Sequence, residues 1–233
     1  METDRRWVVV RIDGKIASIS TDYRQLAALT RRLAEMSYGK GLDQKKADRD
    51  KAKADSGKRK TGIQPRLFGE ITAVTLSLEE VWEMRKSVKW EDLMLFGTDF
   101  QKRVWRKLWE LTHDGTPAEG QENVTGRPAK EGGPRLICYS DFADLCQNRA
   151  GVRAVAHAIG LNPVSVIIPC HLVVPKESID RIREIHKKAE ATIFKGDDLC
   201  ISSILNESSI DFGEYALGKE LKRILINLEL ALA

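Results

Sequence analysis

A cysteine and a histidine stand side by side at Cys170 and His171, in the stretch NPVSVIIPCHLVV that covers residues 162–174. A thiolate is a strong nucleophile, and imidazole is the side chain best suited to take a thiol proton near neutral pH. The pair also has a plain alternative. Cysteine is among the most buried residue types, and a cysteine at a strand end usually does no more than pack. Neighbours on an extended chain point to opposite sides, so proton transfer from Cys170 to His171 needs a bend or a bridging water. Residue types alone leave both readings open.

The apolar run Val164–Ile168 reads as a short buried strand with Cys170 at its mouth. Upstream, CYSDFADLCQNRAGVRAVAHAIGLNP reads as two short helices. Ser140 is expected to cap the first, the break falls near Asn148–Gly151, and the second runs from Val152 to about Ile159; this is compatible with a helix-turn-helix. The second helix is alanine-rich with Arg153 at its start, so it could lie close against another helix or in a nucleic-acid groove. Before these, Thr98 and Gln101 fit a capping box that opens a helix with the stripe Phe100, Val104, Trp105, Leu108 and Leu111. The final helix places Leu221, Ile224, Leu225 and Leu228 on one face.

The first part of the chain carries a hairpin signal, WVVVRIDGKIASIS, around the turn pair Asp13-Gly14. A helix with Leu26, Leu29 and Leu33 at helical spacing follows, then a third strand in GEITAVTLS. The predicted fold is therefore α/β (α+β) in two parts. A small N-terminal α/β domain with an antiparallel sheet spans residues 1–95, carries a charged loop at 40–65, and reads as scaffold without chemistry. A mainly helical C-terminal domain spans 96–233, with the two-helix unit, a short active-site strand, and insertions near 115–135 and 176–208.

The net charge of +4 is unevenly placed. Residues 40–60 hold nine basic and four acidic side chains, whereas residues 97–233 hold eighteen and nineteen. The excess reads as a solvated loop, so charge does not by itself announce a nucleic-acid surface. No run approaches the roughly 20 apolar residues of a membrane span. The four apolar residues Trp7–Val10 are too few for a signal-peptide core, so an intracellular protein without membrane association is expected. Cys138, Cys146, Cys170 and Cys200 form no CxxC pair, which favours free thiols and gives no reason to expect a metal.

Taken together, GTDFQKRVW, YSDFADL and GVRAVAHAIGLNPVSVIIPCH, with Tyr215, Gly218 and Glu229 near the end, resemble the O6-methylguanine-DNA methyltransferase (alkylguanine-DNA alkyltransferase) family over about residues 97–233. The resemblance implies repair of O6-alkylguanine, and of O4-alkylthymine, in double-stranded DNA by one irreversible transfer to Cys170, with no cofactor and with a monomer as the acting unit. Such a protein works in the nucleus of a eukaryote, or in the cytoplasm and nucleoid of a prokaryote. His171 would act as base through a water, and Glu229 would hold the other imidazole nitrogen. Asn162 would be the hinge amide, and Tyr139 would crowd the phosphate and protonate guanine N3. Arg153 would fill the vacated base stack, with Ala154, Ala158 and Gly160 against the minor groove. Val173, Tyr215, Ala216 and Leu217 would form the substrate pocket.

Leu172 stands where the family usually has arginine, Ala216 and Leu217 offer no hydroxyl, and Cys200 lies in an insertion. A lesion-binding protein that performs no transfer is therefore the alternative. An unrelated cysteine hydrolase ranks last, because it does not account for Tyr139, Arg153 and Asn162 at their spacing.

Overall fold

The computed structural model describes residues 5–38, 69–113, 136–193 and 210–231. The charged loop at 40–65, the loop at 115–135 and Cys200 lie outside these residues. Strands β1 (Trp7–Ile12) and β2 (Lys15–Ser20) form the expected hairpin. Asp13 and Gly14 both have positive φ, 52° and 78°, the backbone that a two-residue turn matched to strand twist requires. Strand β3 (Ile71–Leu76) pairs antiparallel with the other edge of β1, giving the order β2-β1-β3. Helix α1 (Tyr23–Tyr38) sets Leu29 against Ile12 and Ala17. Helix α2 (Leu78–Ser87) starts from a reciprocal capping box between Ser77 and Glu80, and turns Val81 and Arg85 inward.

Helix α3 (Asp99–His113) begins with the expected box. The Thr98 N–H donates to Gln101 Oε1 at 2.9 Å, and the Gln101 N–H donates to Thr98 Oγ1 at 3.2 Å. Its inner stripe is Val104, Trp105, Leu108 and Trp109. After β4 (Ile137–Cys138) come α4 (Tyr139–Leu145), a 3-10 turn over Arg149–Gly151, and α5 (Val152–Gly160), the bent two-helix unit expected. A second 3-10 turn, Cys170–Leu172, leads into β5 (Val173–Val174), which lies parallel to β4. Helices α6 (Lys176–Ile193) and α7 (Lys219–Ala231) follow. Among the described residues no helix is long and apolar enough to cross a membrane.

One core joins sheet and helices: Trp7, Val9, Ile16 and Ile19 pack in the same buried cluster as Trp105, Leu108, Phe142, Val155 and Ile167. The outer edge of β2 also holds the chain that approaches Cys170. The Ile19 N–H donates to the Pro163 carbonyl at 2.9 Å, and the Ser165 N–H donates to the Ile19 carbonyl at 3.2 Å.

Three local expectations are corrected. Val164–Ile168 is not a strand; it is a buried turn with isolated bridges, closed by the Ile168 N–H on the Val164 carbonyl at 3.0 Å and with Val166 at φ 72°. A five-residue run with four apolar side chains cannot by itself distinguish a buried strand from a buried turn, and here side-chain bonds satisfy the backbone. Cys138, not Ser140, occupies the cap position of α4; the Ser140 hydroxyl pairs with Cys138 Sγ at 2.9 Å instead. Helix α7 buries Leu221, Lys222, Leu225, Ile226 and Glu229, while Ile224 and Leu228 are only partly covered. The inner face is rotated because both of its charged residues find partners inside.

Candidate active site

Asn162 is the residue that shapes the turn. It is 3% exposed; its Nδ2 donates to the Ile168 carbonyl at 2.8 Å and to Cys170 Sγ at 3.1 Å, and its Oδ1 accepts from the Val164 N–H at 3.0 Å. One amide therefore ties the end of α5 to both ends of the buried turn and to the sulfur. Cys170 Sγ donates to the Tyr215 hydroxyl at 3.7 Å. Burial pushes the Cys170 thiol up, against the opposing pull of Asn162, Tyr215 and Lys222, so the sulfur needs a base before it can attack.

The base candidate lies behind it. His171 is fully buried, and its Nε2 lies 2.9 Å from Glu229 Oε1. Burial lowers the pKa of His171; Glu229 opposes the shift, while Arg85 and Lys222 reinforce it. Desolvation works to raise Glu229, but His171 and Arg85 outweigh it, and the carboxyl stays below its usual range. An ionised carboxylate can only accept, so the neutral imidazole carries its proton on Nε2. Its lone pair is then on Nδ1, which is buried without a hydrogen-bond partner among the described residues. The bonds of Cys170 Sγ among those residues run to Asn162 and Tyr215, not to His171. A proton moving to Nδ1 therefore needs an intermediary.

Cys170 opens onto a cavity of about 470 Å³ whose lining includes Tyr139, Asn162, Ser165, Tyr215 and Ala216. Burial, then Cys170 and Glu214, raise the Tyr139 phenol, which keeps it neutral and able to donate. Arg153, Ala154, His157 and Gly160 are exposed on one face of α5, and His157 and Gly160 also line the cavity. Ala158 does not share that face. It is 1% exposed and its carbonyl accepts from Trp105 Nε1 at 2.8 Å, so it locks α5 to α3 rather than offering itself to DNA.

Val173 and Leu217, expected in the pocket, are buried in the core and do not line the cavity. Leu172 packs with Leu136, Cys138, Val174 and Ile226, so the place of the missing arginine is filled by a side chain outside the cavity lining. Ile179 and Ile182 of α6, at the start of the second insertion, join that same cluster.

Two functional candidates escaped the sequence reading. Lys222 is 1% exposed; its Nζ donates to the Val173 carbonyl at 2.8 Å and the Glu214 carbonyl at 3.4 Å, and burial lowers its pKa to about 8. Arg85, from the part read as scaffold, reaches Glu229. Spacing carried a signal for each. Lys222 is seven residues before Glu229 on α7, and Arg85 is four residues after the buried Val81 on α2.

Asn162→Leu tests the turn. It removes the amide from two backbone groups and the sulfur, and is expected to cost about 1–3 kcal/mol in urea unfolding. It should also slow iodoacetamide labelling of Cys170 by about 10–100-fold, the scale for losing a residue that orients a reacting group. Unchanged labelling would mean that the amide does not set the position of the sulfur.

Residues 134–191 match the family model described as 6-O-methylguanine DNA methyltransferase, DNA binding domain. The chain is 37% identical over 87 residues to a probable methylated-DNA--protein-cysteine methyltransferase of Acanthamoeba polyphaga mimivirus, covering 37% of this chain and 45% of that one. It is 36% identical over 80 residues to the inducible methylated-DNA--protein-cysteine methyltransferase of Bacillus subtilis, covering 34% of each. These alignments span less than half the length of those relatives. Among solved structures, the O6-methylguanine-DNA methyltransferase of Pyrococcus kodakaraensis aligns with 98% of this chain and 95% of its own, at 19% identity and a TM-score of 0.43. Over residues 134–191, the segment that holds α4, α5, the buried turn and Cys170, the chain is similar to the DNA-binding domain of 6-O-methylguanine DNA methyltransferases.

Proposed function

We propose that the protein repairs O6-alkylguanine in double-stranded DNA by moving the alkyl group onto Cys170, once per molecule. The observation that carries this reading is a sulfur on the wall of a cavity, with an amide and a phenol bonded to it and a carboxylate-held imidazole next to it in the chain. The cavity volume falls within the range of about 300–1,000 Å³ found for small-molecule sites. A base stacked in a duplex cannot reach this sulfur, so the damaged nucleotide must first rotate out of the helix.

In the step itself, Cys170 gives its proton through a bridging water to His171 Nδ1, and the resulting imidazolium is stabilised by Glu229 at Nε2. The thiolate attacks the alkyl carbon, an S–C bond forms, and the bond from that carbon to guanine O6 breaks. Its electron pair passes into the purine ring, where Tyr139 supplies a proton at N3. Guanine is restored and Cys170 becomes a thioether, which no neighbouring side chain can cleave, so the protein is consumed in the reaction. O6-alkylguanine and O4-alkylthymine are the substrate class, and a monomer is sufficient. The compartment of action is the one that holds chromosomal DNA.

Incubation with duplex oligonucleotide carrying O6-methylguanine, followed by mass analysis of Cys170 peptides, tests the proposal. One added methyl on Cys170 supports it. Tight binding to the damaged duplex with an unmodified thiol would instead select the lesion-binding alternative.

Exposure of Arg153 at the start of α5 supports its role in filling the vacated stack. Arg153→Ala is expected to slow transfer from duplex DNA by about 10–100-fold, equivalent to losing about 1.4–2.8 kcal/mol of flipped-state stabilisation. Reaction with the free modified base should change less than about twofold. Equal losses on the two substrates would remove Arg153 from the flipping step.

A further inference from the structure

We propose that Arg85 is a positioning residue for the thiol-activating pair: it anchors the Glu229 carboxylate and balances its charge, so that His171 stays a neutral base. This assignment rests on the transfer reading above and adds to it a residue from the N-terminal part of the chain, outside residues 134–191.

Arg85 and Glu229 are each less than a tenth exposed, and Arg85 Nη1 donates to Glu229 Oε1, the same oxygen that faces His171 Nε2. A buried arginine with one carboxylate partner is oriented by that partner, and Trp82 restricts it further, with the guanidinium carbon 5.0 Å from the ring centroid. The consequence for His171 is electrostatic. A lone buried carboxylate beside an imidazole favours the imidazolium, which has no lone pair to take a thiol proton. Arg85, bonded to the same carboxylate oxygen, opposes that bias. The charged groups acting on His171 are Glu229 and Lys222 from α7 and Arg85 from α2, with the Cys170 thiol next to it in the chain. Lys222 bonds the Val173 and Glu214 carbonyls, which leaves Arg85 as the cation in direct contact with Glu229 among the described residues.

The test measures iodoacetamide labelling of Cys170 across pH in the full chain, so it does not depend on the lesion chemistry. Arg85→Met is expected to slow labelling at neutral pH by about tenfold, the lower end for losing a partner that orients a reactive group. Its acid limb should move to higher pH, because the imidazole now holds its proton more tightly. Arg85→Lys, which keeps the charge, should recover most of the rate. In a Glu229→Gln background, where no carboxylate remains to be balanced, Arg85→Met should add less than about a twofold further loss.

Unchanged rate and pH profile in Arg85→Met would overturn the proposal, and so would the same tenfold loss in the Glu229→Gln background. Should Arg85→Met fail to fold, Arg85→Lys and Arg85→Gln decide. A Gln variant with the native profile overturns the charge role, and a shifted profile that Lys restores supports it. Absence of methyl transfer from damaged duplex in the wild type would defeat the functional reading, while the labelling comparison would still report what Arg85 does to the thiol.

Discussion

Cys170→Ser is expected to abolish alkyl transfer, by at least about 10³-fold, while leaving affinity for the damaged duplex within about threefold. Serine preserves the size of the side chain and its ability to bond Asn162 and Tyr215, so the turn over residues 162–170 should persist. The chemistry does not. A hydroxyl is far harder to deprotonate than a thiol, and the imidazole beyond it is a weak base in a buried site. Single-turnover assays with labelled O6-methylguanine duplex would read the first quantity, and equilibrium binding to the same duplex the second. Residual transfer in the serine variant at a tenth of the wild-type rate would place the acceptor elsewhere. Cys146, a free thiol with partial exposure, is a poor substitute because burial pushes it up to about 11.

Glu229→Ala should be the most destabilising single change at the site. Removing the carboxylate leaves the Arg85 guanidinium buried without its countercharge and His171 Nε2 without its acceptor. Breaking a buried ion pair from one side costs about 3–5 kcal/mol, more than the net worth of the pair, because the remaining charge is stranded. Urea unfolding at neutral pH is the measurement, and a loss under about 1 kcal/mol would mean that Arg85 finds water or another acceptor.

The same group gives a signed pH dependence. The folded-state pKa of Glu229 is depressed, so its contribution is fully present above the unfolded carboxylate value of about 4.3 and is lost as pH falls through the folded value. Wild-type stability should therefore drop on the acid side of that window, and Glu229→Gln should flatten that part of the curve. A variant that loses stability in parallel with wild type would show that other carboxylates control acid unfolding.

Local structure was legible where local signals are strong. Asp13-Gly14 announced its turn, Thr98 and Gln101 their capping box, and the alanine-rich segment its helix, because each depends on neighbours a few residues away in the chain. The family motifs placed Cys170, His171, Asn162, Tyr139 and Glu229 in one list. Burial was less legible: the resemblance put Ala158 at the groove and periodicity put Ile224 on the inner face, whereas packing chose otherwise.

What the sequence by itself determined is the chemical potential of the site: a thiol and an imidazole in adjacent positions, an amide eight residues before the sulfur, and a carboxylate far downstream. What only the tertiary structure decided is how those groups are used. Asn162 bends the apolar run into a turn because its amide satisfies backbone groups that a strand would have satisfied by pairing. Arg85 meets Glu229 across 144 positions of chain because both side chains turn into the interior from their separate helices. A buried charge selects its partner by proximity in space, and no spacing rule along the chain encodes that.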